Sequence, residues 1–189
     1  MAAAVLTSYG HVRGEAAPGF DVFRGIPYAA PPTGALRFAR PQRPARWEGV
    51  LEATRFGPVP PQLPGAFDTM LGYDFDRNAE DCLYLNVWRP AGGQAPKPVM
   101  VWVPGGAFAT GGGSLGLYDG SRLACRGDVV VVSINYRLGP FGWLAGSAAF
   151  GDDLPCSGNE GLLDIIAALE WVRDEIAAFG GDPRNVTIF

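Results

Sequence analysis

Residues 99–108 constrain the fold most, because an apolar run ends there at a proline and two glycines. The run from Val99 to Val103 carries five bulky apolar residues without polar alternation. That pattern is typical of a short strand that is buried on both faces, usually in a parallel sheet. Gly105 and Gly106 begin a loop at the carboxyl end of this strand, where open α/β sheets bind ligands. Without Cβ atoms, main-chain N–H groups of the loop are able to approach an anion.

These residues leave three interpretations of the loop: a phosphate site, a site for the oxyanion of an acyl-transfer intermediate, or a tight strand exit without a ligand. Residues 111–116 match the dinucleotide fingerprint G-x-G-x-x-G. That motif should follow its strand at once and open a helix, whereas seven residues separate Val103 from Gly111. A G-K-[ST] phosphate loop is absent from the sequence. The nucleotide interpretation is therefore weak, and the other two stay open.

Strands and helices are predicted to alternate along the second half of the chain. Residues 99–103 and 129–134 are predicted to be buried strands, residues 121–125 a short helix, and Val186 begins another strand. Helical spacing predicts one buried stripe along a long helix, formed by Leu162, Ile165, Ile166, Leu169, Val172, Ile176 and Phe179. The alternation predicts an α/β fold in which helices flank a mostly parallel sheet.

The N-terminal third is predicted to form shorter pieces. Residues 5–9, 10–13 and 20–24 are β-like and separated by turn residues, so they predict a small antiparallel meander. Residues 26–64 contain nine prolines and are predicted to wrap as a loop over other elements, because proline lacks an amide donor and breaks helices. The sole histidine, His11, is predicted to be a solvated residue of the meander and not a catalytic base.

Composition narrows the expected partners. The 189 residues are 48% hydrophobic and 18% charged, which is typical of one globular domain. A net charge of −4 without runs of Lys or Arg argues against nucleic acid, and no apolar run is long enough for a membrane span. The cysteines fit neither a disulfide framework nor a zinc site, so we predict a reducing cytoplasm and no metal or cofactor. They are Cys82, Cys125 and Cys156.

A series of motifs, in matching order and spacing, resembles the N-terminal part of the type-B carboxylesterases. They are residues 23–29, 31–38, 80–87, 101–108, 135–139, 158–164 and 179–183. This α/β-hydrolase family includes bacterial esterases, cholinesterases and their non-catalytic adhesion relatives. Because the motifs cover nearly the whole chain, the resemblance implies that residues 1–189 are the N-terminal portion of a single α/β-hydrolase domain. It also implies a small-molecule carboxylic ester as substrate.

The resemblance gives the glycine loop a role. It implies that the main-chain amides of Gly106 and Ala107 form an oxyanion hole, whose fixed donors need no reorganisation when negative charge develops. Pro104 stands where the family often has His or Tyr, and Ala107 where it often has Gly. The methyl group of Ala107 is expected to narrow the acyl side of the site.

The resemblance also implies two structural ion pairs, Arg37 with Glu80 and Arg137 with Asp164. Both pairs are expected to be buried, in which case losing one partner costs about 3–5 kcal/mol. The alternative is a solvated pair that contributes less than about 1 kcal/mol. In secreted relatives the position of Cys82 forms a disulfide with an upstream cysteine, but no cysteine precedes it here, which agrees with a cytoplasmic protein.

The catalytic residues themselves are predicted to lie outside the chain. By resemblance, the serine nucleophile of the G-x-S-x-G turn falls about three residues beyond Phe189, and the acid and the histidine follow later. The lineage is therefore a serine esterase that works through an acyl-enzyme, but residues 1–189 are predicted to be inactive alone. Two alternatives stay open: a non-catalytic binding protein, like the adhesion relatives, and a gene fragment without function.

Overall fold

The residues that the structure describes form an α/β protein. This computed structural model describes residues 4–63, 77–92, 96–151 and 156–189. The strands are β1 (Ala4–Thr7), β2 (Gly10–Arg13), β3 (Glu15–Ala17), β4 (Phe20–Pro27), β5 (Val50–Glu52), β6 (Tyr84–Pro90), β7 (Lys97–Trp102), β8 (Val130–Ile134) and β9 (Gly181–Ile188). The helices are α1 (Ser121–Gly127), α2 (Gly139–Trp143), α3 (Gly146–Phe150) and α4 (Glu160–Glu175), and 3₁₀ turns cover Gly34–Leu36, Gly116–Tyr118 and Ile176–Phe179. Within these ranges, no helix combines the length and apolar character that a membrane span needs.

The larger sheet has the strand order β3-β4-β6-β8-β7-β9. β7 pairs in parallel with β8 and β9, as the apolar strands predict. The pairs β8 with β6, β6 with β4 and β4 with β3 are antiparallel, so the sheet is mixed and not mostly parallel. The connections explain the difference: a helix lies between β7 and β8 and between β8 and β9, which permits parallel crossovers, whereas a short turn joins β3 to β4.

The smaller sheet has the strand order β1-β2-β5. β1 and β2 form an antiparallel hairpin, with Val5 opposite Val12, as the sequence predicts. The prediction that residues 20–24 form the third strand of this meander is wrong, because they lie in β4 of the larger sheet. The third strand of the smaller sheet is instead β5, which pairs in parallel with β2. The adjacent Val22 and Phe23 are both buried, and a strand buried on both faces belongs inside a covered sheet.

Helices α4 and α1 cover opposite faces of the larger sheet. Val130 and Val132 of β8 share one apolar cluster with Ala168 of α4, whereas Val131 packs in a second cluster with Ala124 of α1. Alternate residues of β8 therefore enter different clusters, and the whole strand is buried. β7 lies beside β8 and carries the glycine loop at its carboxyl end.

The long helix is present, but its buried face is rotated from the prediction. α4 and the 3₁₀ turn that follows it span the predicted segment, and Val172 and Ile176 are buried. Leu162 and Ile166 are instead 46% and 44% exposed. The buried face carries Asp164, which the hydrophobic pattern could not assign because its burial depends on an ion pair.

Candidate active site

The loop after β7 is tied down at two points. Pro104 is buried, and its carbonyl accepts a hydrogen bond of 2.8 Å from the Tyr136 hydroxyl. The Phe108 carbonyl accepts a bond of 2.7 Å from the Gly139 amide. Residues 105–109 are exposed. The loop is thus fixed at its base and its tip, while its outer surface faces solvent.

Three consecutive loop residues have positive φ angles. The values are 134° at Gly106, 52° at Ala107 and 61° at Phe108. A Cβ atom on Gly106 would lie 2.0 Å from the Thr110 carbonyl oxygen, so only glycine fits there. The left-handed conformation costs a residue with a side chain about 1–3 kcal/mol, and such strain is concentrated at functional sites. Ala107 and Phe108 carry that strain.

The amides of Gly106 and Ala107 are adjacent donors on this exposed loop. In the part of the chain that the structure describes, neither N–H donates to a protein acceptor. The amides of Gly105 and Phe108 also have no acceptor within these ranges, whereas Ala109 and Thr110 both donate to the Gly106 carbonyl, at 3.0 and 3.1 Å. Because both residues are exposed, these two N–H groups are accessible to a bound acceptor at the carboxyl end of β7.

A cleft of about 480 Å³ borders the same loop. It is lined by Pro61, Gln62 and Leu63 of the proline-rich segment, and by Ala109, Pro140 and Phe141. Such apolar walls suit the hydrocarbon part of a small ligand. A second cleft of about 630 Å³ lies at the amino ends of β7 and β9. Because open α/β sheets bind ligands at the carboxyl ends of their strands, the smaller cleft is the candidate site.

Buried polar side chains, not foreseen from the sequence, hold the inner part of the loop. Ser133 Oγ donates to the Gly113 carbonyl at 2.8 Å, and the Gly113 amide donates to Asn135 Oδ1 at 2.8 Å. Asn86 Nδ2 donates to Ser133 Oγ at 3.0 Å. The sequence does contain a signal for these contacts, because Asn86 and Ser133 interrupt strands that are otherwise apolar. Polar side chains buried in a strand need hydrogen-bond partners.

Arg137 and Asp164 form a buried ion pair. Arg137 Nε lies 2.7 Å from Asp164 Oδ2, and Nη2 lies 2.7 Å from Oδ1, with side chains only 2% and 0% exposed. The Arg137 amide also donates to Asp164 Oδ2, at 3.0 Å. Burial raises the pKa of Asp164, and the hydrogen bonds and charge of Arg137 oppose that shift. Arg137 Nη1 donates to the Ala39 carbonyl at 2.8 Å, so the pair ties the wrapping segment to α4.

Arg37 and Glu80 also meet, but at the surface. Arg37 Nε lies 2.7 Å from Glu80 Oε2, and Nη2 lies 2.9 Å from Oε1. The side chains are 46% and 26% exposed. The expectation of burial is therefore wrong for this pair, whose partners lie at the surface, whereas Asp164 lies on the buried face of α4.

The described residues include hydrogen-bond donors for an anion, but no serine or histidine placed to act as a catalytic nucleophile or base. Residues 112–116 match G-x-S-x-G formally, but Ser114 lies in a turn before a 3₁₀ segment and not between a strand and a helix, where that motif acts. His11 is exposed on β2 in the smaller sheet. Across the described ranges, no group of three or more His, Cys, Asp or Glu residues could hold a metal ion.

Comparison with known protein families identifies the family of this chain. The sequence profile of the carboxylesterase family matches residues 1–189. The chain belongs to the carboxylesterase family. The motifs on which the resemblance rests therefore identify the family correctly.

Individual members of the carboxylesterase family extend the comparison. The chain is 50% identical over 188 residues to para-nitrobenzyl esterase of Bacillus subtilis (strain 168), an alignment that covers 98% of this chain and 37% of that protein. It is 42% identical over 198 residues to acetylcholinesterase of Bungarus fasciatus, covering 98% of this chain and 31% of that protein. The solved structure of a thermophilic PNB esterase has a TM-score of 0.91 and 52% identity, covering 98% of this chain and 38% of that one. The α/β-hydrolase fold is thus confirmed, and the chain spans about a third of the length of these relatives.

Proposed function

We propose that this chain supplies the oxyanion hole of a carboxylic-ester hydrolase. The observation that carries the proposal is the pair of adjacent, exposed amides of Gly106 and Ala107, which have no acceptor within the described ranges. Membership of the carboxylesterase family supports the proposal. The alignment with para-nitrobenzyl esterase, for example, covers 98% of this chain. The same geometry is harder to reconcile with a bare strand exit, which has no need of strained residues at Ala107 and Phe108.

The proposed reaction proceeds in two steps through an acyl-enzyme. A serine hydroxyl attacks the ester carbonyl while a histidine takes its proton, and water later releases the acyl group by the same route. Negative charge develops on the carbonyl oxygen in each step. The two amides hold that oxygen, and losing one such donor typically costs about 2.7–4 kcal/mol of transition-state stabilisation. We place the serine, the acid and the histidine of the triad outside residues 1–189.

The cleft next to the loop is the proposed site for the small-molecule substrate. Its apolar lining from Pro61, Leu63 and Phe141 suits an acyl or alcohol group. The Ala107 methyl group adds bulk beside the donors. We therefore expect compact acyl groups to be preferred over bulky ones.

The central test compares residues 1–189 alone with a chimera in which they replace the aligned 37% of the Bacillus subtilis esterase. The isolated chain is expected to hydrolyse p-nitrophenyl acetate at the buffer rate, since the triad is absent. The folded chimera is expected to be active, because the donors then face a complete triad. A folded chimera without activity, beside an active parent enzyme, would refute the proposal. Turnover by the isolated chain that a serine-directed phosphonate abolishes would refute its predicted inactivity.

We also propose a reducing cytoplasmic location. Cys82, Cys125 and Cys156 are free thiols, and the first and last are buried. Burial raises the pKa of the Cys82 thiol, which keeps it protonated and unreactive. Fractionation of cells that produce the tagged protein is expected to place it in the cytoplasm, and recovery from an oxidising compartment would contradict this.

A further inference from the structure

We propose that Gln62 is a positioning residue for the oxyanion hole. Its side-chain amide holds both the N–H and the C=O of Gly111, and through Gly111 it fixes the loop that carries the Gly106 and Ala107 donors. The inference rests on the proposed function for its catalytic consequence. It gives part of the proline-rich segment a role beyond covering the core.

The contact between Gln62 and Gly111 is a two-point clamp. Gln62 Nε2 donates to the Gly111 carbonyl at 2.9 Å, and the Gly111 amide donates to Gln62 Oε1 at 2.9 Å. The same Nε2 also donates to the Pro60 carbonyl, at 3.0 Å. Asn78 Nδ2 donates to the Gln62 carbonyl at 3.0 Å, which holds the main chain of Gln62 in place. Both amide hydrogens and the oxygen of the side chain are therefore engaged, so its orientation is fixed.

Gly111 transmits this restraint to the donors by direct contact. Gly111 has a φ of 127°, and a Cβ atom there would lie 2.5 Å from the Gly105 carbonyl oxygen, so the two residues touch. Thr110, the neighbour of Gly111, donates its amide to the Gly106 carbonyl at 3.1 Å. A shift of Gly111 would therefore displace both Gly105 and Gly106. Because Gly111 is buried and the donors are exposed, the loop is held from beneath.

Gln62 differs from the other side chains that hold the inner loop. Ser133 and Asn135 bind Gly113, but they are 0% and 4% exposed and belong to the covered sheet or its immediate end. Gln62 comes from outside the sheet and is only partly buried. Its replacement leaves the core intact, so its effect on catalysis is separable from an effect on folding.

The test uses the active chimera, in which residues 1–189 replace the aligned 37% of the Bacillus subtilis esterase, with Gln62→Met as the main variant. Methionine has a similar volume but cannot form the clamp. We expect kcat for p-nitrophenyl acetate to fall by about 10-fold, because the segment that supports both donors loses its two hydrogen bonds to the Gln62 side chain. Hydrogen exchange at the Gly111 amide is expected to accelerate. Gln62→Asn, which keeps the amide on a shorter stem, is expected to show the same direction if Gln62→Met folds poorly.

The matched control is Gln42→Met in the same proline-rich segment. Gln42 is exposed, and its side-chain amide donates only to the nearby Arg40 carbonyl, at 3.2 Å. This variant is expected to keep the wild-type kcat and Gly111 exchange rate. Wild-type kcat and exchange in both Gln62 variants would overturn the inference while leaving the proposed function intact. A folded parent chimera without esterase activity would instead refute the proposed function, and Gly111 exchange alone would then decide the role of Gln62.

Discussion

Gly106→Ala is expected to lower kcat for ester hydrolysis by about 10²–10³-fold in the active chimera, the loss typical of one missing oxyanion donor. The added Cβ would lie 2.0 Å from the Thr110 carbonyl oxygen and 2.8 Å from Thr110 Oγ1. The nearer contact is with main chain, which cannot rotate away as the end of a side chain would. Alanine also disfavours the φ of 134° that residue 106 adopts. The loop must therefore move, and its two amides move with it.

The matched control for this substitution is Gly116→Ala, in the same connection between β7 and α1. A Cβ atom on Gly116 would meet nothing within 4 Å, and Gly116 is not among the glycines with a positive φ. Its kcat is expected to stay within about 2-fold of the parent, as for a surface change away from special backbone. Urea unfolding of both variants separates a local effect from a global one. Full activity in a correctly folded Gly106→Ala protein would contradict the assignment of the donors.

Local sequence signals are enough to predict the elements that carry this loop. β7 and β8 are detectable because a strand covered on both faces needs apolar side chains on both, and residues 130–134 are all buried. The break at Gly105 and Gly106 is equally local, since the close approach of Thr110 requires glycine at position 106. The sequence places residues 20–24 of β4 in the meander, because a short β-like segment does not reveal which sheet it joins.

Contacts between distant segments could not be predicted in the same way. Gln62 and Gly111 are 49 positions apart, and nothing in the residues around Gln62 indicates which peptide its amide binds. The two ion pairs make the same point, because Arg37 with Glu80 and Arg137 with Asp164 are the same kind of pair by sequence. Their burial differs, because Asp164 lies on the buried face of α4, whereas Arg37 and Glu80 lie at the surface. Charge patterns identify partners, whereas solvent exposure is a property of the assembled fold.

Asp164→Ala is expected to reduce the free energy of unfolding by about 3–5 kcal/mol, the cost of leaving one partner of a buried ion pair uncompensated. The guanidinium of Arg137 is 2% exposed, so water cannot replace the lost carboxylate. The substitution also leaves the Arg137 amide without the acceptor that lies 3.0 Å away. Because typical domains are stable by only about 5–15 kcal/mol, the variant is expected to unfold at a much lower urea concentration.

Glu80→Ala is the matched control, because Arg37 and Glu80 form an equally close two-point pair of the same residue class. With side chains 46% and 26% exposed, water screens this pair, and its loss is expected to cost less than about 1 kcal/mol. Urea unfolding of Asp164→Ala and Glu80→Ala under the same conditions therefore compares the free energy lost with a buried pair and with an exposed pair of similar geometry. Similar losses in both would mean that burial does not set the strength of these pairs, and the role of Arg137 and Asp164 in tying the wrapping segment to α4 would have to be abandoned.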